Sequence, residues 1–153
     1  LPSLIPAIAE KFEIVFKNTA ENSFNDFMLH FLESWSREAT TANIAYVFAQ
    51  HYQKMLEHMG MACARYMEAS LKVVGKRIQQ SKSKAHIKQY ICCIRVIVEQ
   101  CRPVIASVKD EVLELVKISL ENSENADVVK EQTRQIENIL EDVQPEPRNW
   151  SIA

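Results

Sequence analysis

The sequence predicts an all-α fold: a five- to six-helix bundle, or an irregular HEAT-like stack, built on a long antiparallel helical hairpin over about residues 41–121. Three observations lead there. Apolar residues recur in steps of three and four almost throughout, the spacing of one face of an α-helix. Glycine occurs only twice in 153 residues, too few for the turns and bulges that a sheet protein needs. Two long runs with heptad spacing flank one short polar stretch, the pattern of two helices folded back on each other.

The elements follow in order. Residues 4–18 place Ile5, Ile8, Phe12, Val15 and Phe16 on one face, with Pro6 in a first turn where its missing N–H costs nothing. Asn22 or Ser23 can cap a second helix whose stripe is Phe24, Phe27, Met28, Phe31, Leu32 and Trp35. Thr40 or Thr41 starts the first long arm, with Ala45, Phe48, Tyr52, Met55, Met59, Ala62, Tyr66, Ala69 and Val73 in phase through Gly60. "QQSKSKA" (79–85) is the turn. The second arm carries Ile87, Ile91, Ile94, Val98, Cys101, Ile105, Val108, Val112 and Leu115. Each arm would reach roughly 50 Å at 1.5 Å per residue. Pro103 lies inside the second arm, which is therefore kinked near Cys101 or split there into two helices. "NSENA" (122–126) reads as a loop, and residues 127–143 as a last helix with Val128, Val129, Ile136, Ile139, Leu140 and Val143 inward. No residue pattern repeats at a fixed period. Residues 1–143 make one helical domain and 144–153 an extended tail, in which Trp150 either folds back or docks elsewhere.

The length suits one domain, and 47% apolar with 25% charged residues is the balance of a globular protein. No apolar run approaches the ~20 residues of a membrane span. The first sixteen residues lack a basic n-region and so do not read as a signal peptide. Without an initiator Met, the chain is expected to be a domain of a longer protein. Four cysteines without framework spacing point to a reducing, intracellular (cytoplasmic or nuclear) setting.

Net charge is only −2, but it is unevenly spread. Between Glu68 and Glu99 there is no acidic residue, while Lys72, Lys76, Arg77, Lys82, Lys84, Lys88 and Arg95 fall there. From Asp110 to Glu146 eleven acidic residues face only Lys117, Lys130 and Arg134. The molecule should be electrically polar, with a basic and an acidic end.

Three of the four cysteines fall in "QYICCIRVIVEQCRP" (89–103). Adjacent helical residues point about 100° apart, so Cys92 and Cys93 cannot readily grip one tetrahedral zinc. Cys92 and Cys101 fall on opposite faces. This helix is apolar nearly all round, broken by Arg95, and reads as central, with cysteine packed as a small hydrophobe. His51 and His58 share a face but lie roughly 10 Å apart, and His30 and His86 are isolated. No Gly-rich phosphate loop, nucleophile elbow or convergent carboxylate pair is present, so no catalytic group, cofactor, metal or small-molecule substrate is expected.

The strongest binding candidate is the basic turn: Lys82 and Lys84 on it, flanked by Lys76, Arg77 and Lys88. It is either a solvated turn or a docking point for an acidic protein surface, anionic lipid or nucleic acid. Without interleaved aromatics or an arginine cluster, nucleic acid fits it least. The aromatic stripe from Phe24 to Trp35, with Tyr46 and Tyr52, suits core more than groove, although Met55, Met59, Met61 and Met67 would also suit an adaptable surface.

One stretch, "IQQSKSKAHIKQYICCIRVIVEQCRPVI" (78–105), is similar to the helical C-terminal domain of the katanin regulatory subunit in its "QSK" turn, apolar helix and terminal Pro-Val-Ile. The likeness covers under a fifth of the chain, the flanking residues do not follow it, and it carries no functional residue across. The function these features suggest is non-catalytic protein–protein interaction, as an adaptor or scaffold domain. The alternatives are anionic lipid or nucleic-acid binding at the basic turn, and homo-oligomerisation, for instance as a homodimer.

Overall fold

The computed structural model describes residue 8 and residues 21–143. The first expected helix and the expected tail lie outside the described residues, apart from Ile8, which is helical. Six α-helices follow: α1 (Glu21–Ser36), α2 (Ala42–Met59), α3 (Met67–Gln80), α4 (Lys84–Gln100), α5 (Lys109–Asn122) and α6 (Asp127–Glu141). Two seven-residue 3₁₀ segments, Gly60–Tyr66 and Arg102–Val108, join α2 to α3 and α4 to α5. No strand is present among the described residues, and none of their helices is long and apolar enough to cross a membrane.

The helix starts have local causes. Thr41 accepts a hydrogen bond from the Ile44 amide at 3.4 Å, and Ser83 one from the His86 amide at 3.3 Å, so a hydroxyl satisfies a free amide at the start of α2 and of α4. The two long arms foreseen from the sequence are each divided. Gly60 takes φ 56°, a left-handed conformation that ends α2 and favours glycine. Pro103 has no amide to continue α4, so the second arm is split, the sharper of the two foreseen outcomes. Apolar phase survives both breaks. Buried positions keep a seven-residue spacing through both segments, Leu56, Cys63 and Ser70 in the first and Val98, Ile105 and Val112 in the second, so a heptad pattern runs on across a change of direction.

The outer halves of both arms therefore leave the hairpin axis. α1–α2, α3–α4 and α5–α6 are three successive helical hairpins. α3 packs between α1 and α5, and α4 between α2 and α6, giving two layers of three helices. Positions 42 residues apart are buried alike. Ala45, Ile87 and Val129 correspond, as do Tyr52, Ile94 and Ile136, and Leu56, Val98 and Leu140. In the other layer Met28, Ser70 and Val112 correspond, then Leu32, Val74 and Val116, then Trp35, Arg77 and Ser119. The period missing from residue identity is present in burial, and it falls in the range of HEAT-type repeats. Of the two architectures foreseen, the stack is the one formed.

Helix α4 is the centre of its layer, and nine of its residues are buried. Within its apolar stretch 90–98 the one polar residue faces α6, where Arg95 Nε donates to Gln132 Oε1 at 2.7 Å and Nη1 pairs with Glu99. The aromatic stripe is core in part: Phe24, Phe27, Phe31 and Tyr46 are half-buried. Met28, Trp35 and Tyr52 are fully buried, and Phe31 sits 4.9 Å from Phe48 and 5.5 Å from Tyr52 between ring centroids. Val128 and Ala62, expected inward, are exposed.

Candidate functional site

The five basic residues read as one patch divide into two groups. Arg77 faces inward and is 7% exposed. Its guanidinium donates to Trp35 O at 3.0 Å (Nε) and 2.5 Å (Nη2), to Arg37 O at 2.9 Å and to Thr40 O at 3.3 Å. It caps the C-terminal carbonyls of α1, where a cation complements both the free acceptors and the helix dipole. Lys76 does related work: its Nζ donates to Ser36 O at 2.6 Å and pairs with Glu38 at 3.1 Å. Asn122 on α5 caps α3 in the same manner, its amide reaching Ile78 O at 3.0 Å. α3 thus holds the end of α1, and α5 the end of α3.

Lys82 and Lys84 are exposed at the α3–α4 turn, and Lys88 is half-buried one turn into α4. Lys82 Nζ lies 3.4 Å from Asn122 Oδ1, which ties the turn to the end of α5. The turn is stitched to the third hairpin rather than protruding from the stack. The charge asymmetry becomes spatial: the second hairpin is basic and the third acidic, so polarity runs along the stack.

Beside the turn, between α3 and α5, lies a groove of about 520 Å³. Its floor is Leu71, Gly75, Val108, Leu115 and Ile118. Glu68, Lys72, Lys76 and Gln79 line the α3 side, and Glu111 and Glu114 the α5 side. Gly75 matters here: a Cβ at that position would stand 2.9 Å from Leu115 Cδ2, so glycine lets the two helices approach closely. Sequence reading missed this groove. Its signal was faint: one of only two glycines, inside a helical run, paired with a leucine far along the chain.

All four cysteines are buried and free, as the packing reading requires. The Cys93 thiol donates to Ala49 O at 3.3 Å, and burial pushes its pKa up. Cys63 lies beside Cys101, with the two sulfurs 2.9 Å apart. No spacing argument brings those two together, because they stand at successive hairpin connections. Among the described residues no group of three or more His, Cys, Asp or Glu is placed to hold a metal ion. No protein family, curated protein or solved structure matches the chain.

Proposed function

We propose that this chain is a non-catalytic protein-interaction module whose α3–α5 groove, with the adjoining lysine turn, receives a segment of a partner protein. The observation that carries the reading is the groove itself: an apolar floor where Gly75 meets Leu115, with Lys72 and Lys76 beside Glu68 along one wall and Glu111 and Glu114 along the other. Stacked hairpins present such extended surfaces because each unit buries its core against its neighbours and leaves the outer helix faces free. The partner chemistry follows from the walls. Apolar anchors enter the floor, carboxylates meet Lys72, Lys82 and Lys84, and a cationic group meets Glu111 or Glu114. The charged rim fixes orientation and speeds encounter more than it adds affinity.

The test is affinity capture from nuclease-treated lysate with three proteins: wild type, Ile118→Glu in the groove floor, and Lys82, Lys84 and Lys88 all changed to Glu. Circular dichroism establishes that each variant is folded. A discrete protein set held by wild type, lost with Ile118→Glu and reduced with the lysine variant, supports the reading. Equal capture by all three would overturn it. Loss with the lysine variant alone, together with binding to anionic vesicles, would move the assignment to a lipid surface.

A further inference from the structure

Cys63 belongs to the 3₁₀ segment joining the first hairpin to the second, and Cys101 ends α4 where the second hairpin passes to the third. The two are 38 residues apart in sequence, are 1% and 0% exposed, and bring their sulfurs to 2.9 Å. That separation is shorter than two unbonded sulfurs ordinarily keep and under 1 Å longer than a disulfide bond, which is about 2.05 Å. Little backbone movement separates the dithiol from the crosslinked form. We propose that Cys63 and Cys101 are a redox modification site, oxidised by a small peroxide to an intramolecular disulfide that fastens successive hairpin connections together.

The chemistry balances with hydrogen peroxide as the two-electron oxidant. The Cys101 thiolate attacks one peroxide oxygen and breaks the O–O bond. It becomes a sulfenic acid, and the leaving hydroxide takes a proton to form water. The Cys63 sulfur then attacks the Cys101 sulfur and the S–O bond breaks. The departing oxygen, with the Cys63 proton, leaves as a second water. Two thiols and one peroxide give one disulfide and two waters. The order of attack follows from the contact. Either sulfur can donate in this contact; with Cys63 as the donor, its proton is held in place and the Cys101 pKa is lowered. Cys92 and Cys93 are internal controls: burial raises both pKa values, and Cys93 already donates to Ala49 O.

The experiment treats the folded chain with hydrogen peroxide, quenches, unfolds it, counts reactive thiols and maps disulfide-linked peptides by mass spectrometry. The expected result is a fall from four reactive thiols to two in the monomer, with Cys63 and Cys101 in one linked peptide pair. In Cys63→Ser the same treatment leaves a dimedone-reactive sulfenic acid on Cys101. Four thiols remaining, a linkage through Cys92 or Cys93, or crosslinking only between chains would each overturn the proposal. So would oxidation of Cys63 and Cys101 to separate sulfinic acids.

Discussion

Replacing Arg77 by alanine separates a buried, structural cation from the exposed lysines near it. The guanidinium satisfies three backbone carbonyls, those of Trp35, Arg37 and Thr40. A hydrogen bond to a charged group is worth about 1.5–3 kcal/mol. Part of this is offset because deletion relieves the desolvation of the cation and admits water to the carbonyls. A net loss of about 1 kcal/mol per carbonyl, or ~3 kcal/mol in all, is expected. With a urea m-value of about 2 kcal/mol/M, the unfolding midpoint should fall by about 1.5 M. Arg77→Lys should fall between, because one ammonium cannot span three carbonyls held in a guanidinium fork. Lys84→Ala, exposed on the turn, should stay within about 0.5 kcal/mol of wild type. The assay is urea unfolding followed by circular dichroism. A loss under about 1 kcal/mol for Arg77→Ala, with Arg77→Lys indistinguishable from wild type, would refute the capping argument.

Three further outcomes follow from the same structure. Gly60→Ala should cost about 1–2 kcal/mol in the same assay, because φ 56° is strained for any side chain although nothing stands within 4 Å of the new Cβ; a neutral result would mean that the end of α2 relaxes freely. Burial, then the Lys54 charge, lowers the His51 pKa. The unfolded chain therefore takes up a proton near pH 6.5 that the folded chain refuses. Stability should decline as pH falls from about 7 through the lowered folded value, and His51→Gln should remove that part of the decline in urea midpoints. The crosslinked Cys63–Cys101 form closes a 38-residue loop, for which the chain-entropy treatment gives about 4 kcal/mol. Calorimetry should show a Tm about 10 °C above the dithiol form, whereas an unchanged Tm would mean that strain in the crosslink cancels the gain.

The helical class, a turn within 79–85 (narrowed to 81–83), a loop within 122–126 (narrowed to 123–126) and the central placement of α4 were legible, because each rests on local periodicity or capping chemistry. The divided arms were only half legible. Pro103 announces its break through a missing donor, but Gly60 sits inside an apolar phase that its 3₁₀ segment preserves. The repeat was hidden because alanine, isoleucine and valine, or tryptophan, arginine and serine, occupy equivalent positions with only burial in common. Arg77 looked like part of a surface patch because neighbouring lysines dominate the segment. Its place seven residues after Ser70 and four after Val73 puts it on the buried face, and that phase was a readable signal. The groove and the Cys63–Cys101 contact depend on pairs some forty residues apart, which only the stacking of hairpins brings together.

The most direct test of the groove as the partner site is photo-crosslinking. A benzophenone amino acid is placed at Lys72 on the groove wall, or at Glu137, which is exposed on α6 in the other layer. A discrete protein adduct from position 72 that disappears when Ile118→Glu is added, with none from position 137, is the predicted result. Adducts from position 137 alone, or adducts from position 72 that survive Ile118→Glu, would contradict it.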